Sequence, residues 1–160
     1  MAGMQPIIKI VSGGQTGADR AGLDWAISVG IPHGGWCPKG RKAEDGPIAG
    51  HYDLTEARSE NYLQRTEWNV RDSDGTAIFT MRATLSGGSK KTADFAGKHG
   101  KPSLHLTGAE SYEQASRRLR EFIAMHGIRV LNVAGSRGSK EPEVGEFVRV
   151  VLGAAISAQG

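Results

Sequence analysis

Four short apolar runs, each followed by a turn and a segment of helical periodicity, constrain the fold of this chain more than any other feature. The runs lie at residues 7–11, 75–80, 103–106 and 128–133. The main helices are predicted at residues 18–29, about 89–98, about 110–126 and 144–156. Short strands that alternate with helices form a parallel sheet covered by helices on both faces. We therefore predict an α/β fold, a Rossmann-like three-layer sandwich with a mainly parallel sheet, in a single domain over residues 1–160.

Two further segments have weaker patterns. Residues 31–52 contain many glycines and prolines and little periodicity. Long irregular segments inside small domains are usually functional or disordered, and the aromatic residues here favour a long ordered loop with one short strand. Residues 61–70 look helical or turn-like.

The distribution of charge along the chain favours an anionic small molecule over nucleic acid as the binding partner. The 160 residues are 38% hydrophobic and carry a formal net charge of +3. The first 80 residues have eight Lys or Arg against ten Asp or Glu, and the second 80 have twelve against seven. A mild positive excess in one half suits an anionic small molecule, whereas the chain lacks the dense basic runs with interleaved aromatic residues that favour nucleic acid.

The lengths of the apolar runs and the numbers of cysteines and histidines predict where the protein is located and whether it binds a metal. No apolar stretch approaches the roughly 20 residues of a membrane span, and the N-terminal residues lack the apolar segment of a secretory signal. The single cysteine, Cys37, excludes an internal disulfide and a multi-cysteine metal site. The five histidines show no metal-ligand spacing. We expect a cytoplasmic protein without membrane contact and without a zinc site.

Three segments leave a predicted strand and open a helix with the same chemistry. They are the first loop (residues 12–17), the second loop (residues 85–89, with Thr92) and the third loop (residues 134–140). Each offers glycine amides, a hydroxyl group and a helix N-terminus. These groups hold a phosphate because unpaired amides point outward along the helix dipole. In a parallel sheet, all three would lie beyond the carboxyl ends of the strands, where ligands bind.

Charged side chains near these loops would strengthen the binding of an anion. Arg20, Arg137 and Lys140 would add charge-assisted hydrogen bonds. The loop at residues 34–48 would act as a lid that supplies Lys39 or Arg41, or would be a solvated charged loop. Each glycine-rich turn, taken alone, is also explained as a tight turn with a Ser or Thr helix cap. Three such turns at strand exits in one small domain favour the binding interpretation.

Other polar residues leave alternatives open. Cys37 is either a reactive thiol or metal ligand, or a small packed side chain. The polar residues Asn69, Arg71, Asp72 and Asp74 precede a strand, at the end opposite the expected site, and suit turn capping as well as ligand contact. No motif for covalent hydrolysis is present.

Five segments in register resemble one family. They read IVSGGQTGADRAGLDWA, GGWCPKGRKAEDGPI, RTEWNVRDSDGTAIF, LSGGSKKT and LNVAGSRGSKEP. Together they cover nearly the whole chain, and they resemble the molybdenum-cofactor carrier proteins of the permuted branch of the SLOG superfamily. The resemblance implies a Rossmann-like fold, a homo-oligomer (dimer or tetramer), and the molybdenum cofactor, a phosphorylated pterin, as the bound ligand.

The same resemblance implies a set of residues that line the site. They are Gly13, Gly14, Gln15, Thr16 and Gly17, then Gly87, Gly88, Ser89 and Thr92, and then Gly135, Ser136, Arg137 and Lys140. Hydrolytic relatives of the phosphoribohydrolase type carry a catalytic glutamate after the glycine loop, where this chain has Ser-Lys-Lys-Thr-Ala-Asp. Lys91 also stands where such carriers have an apolar residue.

Two classes of function therefore compete. The first is a carrier or storage protein for the molybdenum cofactor, with no catalytic residue. The second is a nucleotide-processing enzyme that cleaves a base from a nucleoside monophosphate, with Asp94 or Glu141 in place of the missing glutamate. A nucleotide sensor without turnover is a third hypothesis.

Overall fold

A computed structural model describes residues 6–156 of the chain. The two ends of the predicted domain, residues 1–5 and 157–160, lie outside the described residues. The strands are β1 (Lys9–Val11), β2 (His33–Gly34), β3 (Trp36–Cys37), β4 (Lys42–Ala43), β5 (Gly46–Pro47), β6 (Thr55–Glu56), β7 (Gly75–Thr80), β8 (Ser103–Thr107) and β9 (Val130–Gly135). The helices are α1 (Ala18–Val29), α2 (Tyr62–Arg71), α3 (Gly87–Lys98), α4 (Tyr112–His126) and α5 (Val144–Ile156).

The central sheet has five strands in the order β2-β1-β9-β7-β8, and each neighbouring pair is parallel. Helices α1, α4 and α5 pack on one face of the sheet, and α2 and α3 lie on the other. The main hydrophobic core joins α1, α4 and α5 to inward residues of the strands, such as Ala77, Phe79, Leu131 and Val133. The prediction of a three-layer α/β fold with a mainly parallel sheet is confirmed.

Some predicted boundaries are wrong by a few residues, and local hydrogen bonds explain two of them. The fourth predicted strand begins at Val130 rather than at Ile128. The amide of Ile128 still donates to the carbonyl of Ile123, past the left-handed Gly127 that ends α4. Helix α4 begins two residues later than predicted because Ser111 caps it, with its hydroxyl accepting from the amide of Gln114.

The long segment after α1 differs more from its prediction. Residues 31–52 hold four short strands rather than one, and β2 extends the central sheet. Arg41, whose φ is 55°, donates to the carbonyls of Ile48, Ala49, Tyr52 and Leu54. One guanidinium group therefore ties the segment together.

Cys37 is fully buried in a second, smaller core with Leu23, Ile48, Tyr52 and Leu54. Burial raises the pKa of its thiol, so the environment favours the packed interpretation over a reactive thiolate. Within residues 6–156, no helix is both long and apolar enough to cross a membrane. Across the same range, no group of three His, Cys, Asp or Glu side chains is placed to hold a metal ion.

Candidate functional site

A cavity of about 400 Å³ lies at the carboxyl ends of β1, β9 and β7, on the face of the sheet that carries α2 and α3. Residues of the first, second and third loops all line it. Its volume falls within the range of about 300–1,000 Å³ that small-molecule pockets occupy. The three glycine-rich loops thus meet at one edge of the sheet, as parallel strands require.

The cavity brings together most of the residues that the sequence singled out. Ten of them line it: Gly13, Gln15, Gly87, Gly88, Ser89, Thr92, Gly135, Ser136, Arg137 and Lys140. The structure therefore keeps these ten as candidates for ligand contact.

The other five lie outside the lining of this cavity. A Cβ atom on Gly14 would lie 2.7 Å from Leu54 Cδ1 and 2.9 Å from Ile48 Cδ1, so this glycine allows the second core to pack against the loop. A Cβ atom on Gly17 would overlap the backbone of Ser136 and Gly138, so this glycine lets the first and third loops touch. Close packing therefore explains why glycine stands at both positions, without any contact to a ligand.

The remaining three side chains of this group point elsewhere. Arg20 donates to both carboxylate oxygens of Asp45, at 2.6 and 3.2 Å, and to the carbonyl of Gly14. The hydroxyl of Thr16 donates to Glu44 and accepts from the amide of Gly138. Lys39 is exposed and does not line the cavity. The expected lid over the cavity from Lys39 or Arg41 is therefore not what the structure shows.

The expectation that all three loops offer free amides is wrong for most amides of the first loop. Gly14 donates to the hydroxyl of Ser12, Gln15 to the carboxylate of Asp19, and Thr16 to the side-chain oxygen of Gln15. The protein's own oxygen atoms satisfy these donors, which limits their value for an external anion.

The third loop is satisfied in the same way. The amide of Ser136 donates to the carbonyl of Phe79, that of Gly138 to Thr16, and that of Ser139 to Glu44. In the third loop, two of the acceptors are the side chains of Thr16 and Glu44, which lie 122 and 95 residues away in sequence and which the pattern of the loop alone does not reveal.

The second loop remains open. It leads into α3, where the amides of Gly87 and Gly88 have no acceptor among the described residues, and where the cap residue Ser86 makes no side-chain hydrogen bond to the helix. Both glycines are exposed and line the cavity. The first turn of a helix concentrates unpaired N–H groups and the positive end of the helix dipole. This end of α3 is the part of the cavity best suited to a phosphate group.

Helix α2 contributes side chains that the sequence reasoning missed or left open. Tyr62, Arg65, Thr66 and Asn69 all line the cavity. They stand at positions i, i+3, i+4 and i+7, which is one face of a helix. This polar stripe is visible in the sequence and could have indicated that the helix contributes to the site. Asn69 also accepts from the amide of Trp36 and donates to its carbonyl, so it both faces the cavity and holds β3 in place.

A buried ion pair forms part of the same wall. Arg65 Nη1 lies 3.9 Å from Asp19 Oδ2, and the two side chains are only 11% and 7% exposed. Burial raises the pKa of Asp19, although the positive charge of Arg65 works in the opposite direction. The Nε atom of Arg65 has no hydrogen-bond partner among the described residues. The pair therefore keeps a guanidinium group beside the cavity with part of its donor capacity unused.

The sheet supplies a polar floor. Thr80 and Asn132 line the cavity and lie on the face of the sheet opposite the main core. Asn132 also donates to the hydroxyl of Thr76 at 3.2 Å. A polar residue inside an otherwise apolar strand is the sequence signal for such a floor, because buried polar side chains need partners.

Glu141, which follows the third loop, contacts the chain between β7 and the second loop. Its two carboxylate oxygens accept from the amides of Met81 at 2.7 Å and Arg82 at 3.1 Å. Burial acts to raise the pKa of Glu141, but hydrogen bonds from Ser136 and from these two amides outweigh it, and the pKa is lowered. The carboxylate is thus ionised at neutral pH and fixes the start of the connection between β7 and α3.

The charge of the cavity is positive. Five cationic side chains line it: Arg65, Arg82, Lys91, Arg137 and Lys140. Two carboxylates, Asp19 and Glu141, also line it. Both are hydrogen-bonded to the main chain. Asp94, the other acid considered for catalysis, pairs with Lys90 at 3.6 Å on the exposed face of α3 and does not line the cavity.

These features define a Rossmann-like α/β protein in which a helix N-terminus opens into a positively charged cavity at the carboxyl edge of the sheet. The model of the circularly permutated YpsA SLOG family matches residues 10–156, and the chain belongs to this family. A crystal structure of a "putative molybdenum carrier protein" from Syntrophus aciditrophicus is similar, with 46% sequence identity and a TM-score of 0.91. The match covers 94% of this chain and 95% of that one. Among curated proteins, no match to the chain was found.

Proposed function

We propose that this protein binds the molybdenum cofactor, or a closely similar phosphorylated pterin, and carries it without converting it. The observation that supports this most is the open first turn of α3, where Gly87 and Gly88 line the cavity and their amides have no acceptor among the described residues. A phosphate monoester accepts hydrogen bonds from such amides and gains from the helix dipole. The name of the similar protein from Syntrophus aciditrophicus supports the choice of ligand.

The chemistry of the cavity suits the two parts of such a ligand. The cations at the rim, among them Lys91 and Arg137, attract the phosphate. The side chain of Asn132 and the Nε2 atom of Gln15, which has no hydrogen-bond partner among the described residues, line the cavity. They offer polar groups to the edge of a planar heterocycle, as small-molecule sites do. Lys91, which departs from the pattern of the family, thus adds a charge at the rim.

The absence of a free carboxylate favours carriage over hydrolysis. A general acid or a nucleophile needs a carboxylate within hydrogen-bond reach of the reacting atom. Within residues 6–156, the carboxylates that line the cavity are Asp19 and Glu141. Each already accepts hydrogen bonds from the main chain. Incubation with a panel of nucleoside monophosphates tests the enzymatic alternative: release of free base by the purified protein would establish it, and no release under any condition would reject it.

Gly88 is the position at which the proposal is best tested. A Cβ atom there would have no neighbour within 4 Å, so Gly88→Asp places a negative charge at the start of α3 without a steric conflict. Gly88→Asn is the matched control, because it has nearly the same size and no charge. Gly14→Asp is a poor test, since its side chain would collide with Leu54 and Ile48.

The experiment loads each purified protein anaerobically with molybdenum cofactor and measures the pterin that co-elutes in gel filtration by its fluorescence after oxidation. Two like charges about 4 Å apart repel by roughly 1–4 kcal/mol, which corresponds to a loss of affinity of about fivefold or more. We expect retention by wild type and Gly88→Asn and loss in Gly88→Asp. Equal retention by all three proteins would refute the proposal. Light scattering during the same elution tests the expected homo-oligomer.

A further inference from the structure

A hairpin outside the cavity places two carboxylates against the first and third loops. It consists of β4 and β5, with Glu44 and Asp45 at its tip. The amide of Glu44 donates to the side-chain oxygen of Gln15 at 2.9 Å. Asp45 pairs with Arg20, at 2.6 Å from its Nη1 atom. The tip of the hairpin is therefore fastened to the loops that the sequence marked as anion-binding.

The carboxylate of Glu44 lies in a ready set of anion donors. It accepts from the hydroxyl of Thr16, from the hydroxyl of Ser139 at 2.7 Å and from the amide of Ser139 at 3.2 Å, and it lies 3.8 Å from Arg137 Nη1. Its side chain is 22% exposed. Hydrogen bonds from Thr16 and Ser139 lower the pKa of Glu44 against the opposing effect of burial. The anion that these donors bind is therefore the protein's own carboxylate, that of Glu44.

This set of donors lies between two openings. Arg137 lines the inner cavity of about 400 Å³. Thr16 and Gly138 line a second cleft of about 680 Å³, next to α1 and the start of α5. Glu44 contacts residues of both, so the space that its carboxylate fills adjoins the inner cavity through Arg137.

We infer that Thr16, Ser139 and Arg137 form a second anion subsite, which Glu44 fills in this structure and which a second anionic group of the ligand takes over. A carboxylate and a phosphate compete for the same donors, and the phosphate brings more charge and more acceptor oxygens. The subsite favours ligands that carry a second anionic group over ligands that carry only one. The identity of the first anionic group rests on the proposed function, whereas the existence of the second subsite does not.

The exchange requires movement of only the tip of the hairpin. Arg41, at its base, is held by four carbonyl groups of residues 48–54. Beyond it, β4 and β5 are two residues each, and Glu44 and Asp45 supply the side-chain contacts of the tip with the loops. Short connections with few buried contacts open at low free-energy cost.

The test counts bound inorganic phosphate per chain by isothermal titration calorimetry. Glu44→Ala removes the internal anion, and Asp45→Ala is the matched control because it removes the same charge from the same hairpin. We expect wild type and Asp45→Ala to bind one phosphate and Glu44→Ala to bind two, because free phosphate, unlike a second group of a ligand that is already anchored, does not displace the tethered carboxylate of Glu44. Ser139→Ala added to Glu44→Ala should weaken the second site by about fivefold, since one hydrogen bond is lost. An equal count in wild type and Glu44→Ala, or an equal gain in both single variants, would overturn the inference.

The two proposals fail separately in this experiment. If α3 does not bind phosphate, wild type binds none, but Glu44→Ala still gains one site relative to it. If the second subsite does not exist, wild type and Glu44→Ala bind the same number. Should Glu44→Ala not fold, Glu44→Gln keeps the shape of the side chain without its charge. It should then bind pyrophosphate about tenfold more tightly than Asp45→Asn, and equal affinities would overturn the inference.

Discussion

Glu141 gives the sharpest test of how the start of the connection between β7 and α3 is held in place. Its side chain is 8% exposed, and both oxygens accept main-chain hydrogen bonds, from Met81 and Arg82. In Glu141→Gln, one oxygen becomes an NH₂ group that faces an N–H donor. Hydrogen bonds to charged groups contribute about 1.5–3 kcal/mol each, so loss of one and weakening of the other should lower the free energy of unfolding by about 2–3 kcal/mol.

The pH dependence gives the same prediction a second signature. The pKa of Glu141 in the folded protein is below its ordinary value of 4.5. The stabilisation is therefore complete above about pH 4.5 and is lost as the pH falls through the folded-state pKa. The difference between wild type and Glu141→Gln should be constant near pH 7 and should shrink below pH 4.5.

Urea unfolding followed by far-UV circular dichroism, at pH 7 and along a series to pH 3, measures both effects. Glu143→Gln is the matched control, since it makes the same chemical change at an exposed position two residues away. If Glu141→Gln costs no more than Glu143→Gln at pH 7, the reasoning about the two main-chain hydrogen bonds is refuted.

Three further predictions use the same approach. Gly14→Ala should lower the free energy of unfolding by about 2 kcal/mol or more, because Gly14 has a φ of 80° and a Cβ atom there would collide with Leu54 and Ile48. Gly88→Ala, the control, should change it by less than about 0.5 kcal/mol, and equal effects in urea unfolding would contradict the prediction. Arg65→Met should lower the free energy of unfolding by about 3 kcal/mol, because it leaves the buried carboxylate of Asp19 without its partner, and adding Asp19→Asn should restore part of the loss. A double variant less stable than Arg65→Met would contradict a stabilising interaction between the two side chains. Burial and a hydrogen bond to Asp24 raise the pKa of Tyr52 to about 12, so the stabilisation by Tyr52 should be present below pH 10 and lost as the pH rises through about 12. When tyrosine ionisation is followed by absorbance at alkaline pH, the step with the highest pKa should be missing in Tyr52→Phe.

Much of the fold could be predicted because apolar periodicity reports burial directly. Helix α1 has the predicted bounds, since small residues recur on its buried face and Gly30 ends it in a left-handed conformation. Helix α5 also has its predicted bounds, with a continuous buried stripe. Of the five short strands β2 to β6, only one was expected, because two-residue strands carry no periodicity and Arg41 holds their segment through main-chain contacts that no local pattern shows.

The candidate site was predicted less completely. The glycine motifs placed the three loops at one edge of the sheet, because strand exits in a parallel sheet share an edge. Whether the amides of the third loop are free depends on acceptors such as Glu44, which is 95 residues from Ser139, and Thr16, which is 122 residues from Gly138. Contacts of this range come from the tertiary fold and not from the motif.

A crystal structure of the protein with bound molybdenum cofactor tests the central claim most directly. The account predicts that the phosphate lies on the first turn of α3, with its oxygens within about 3.2 Å of the amide nitrogens of Gly87 and Gly88. A bound cofactor with no phosphate within reach of these two amides would contradict it.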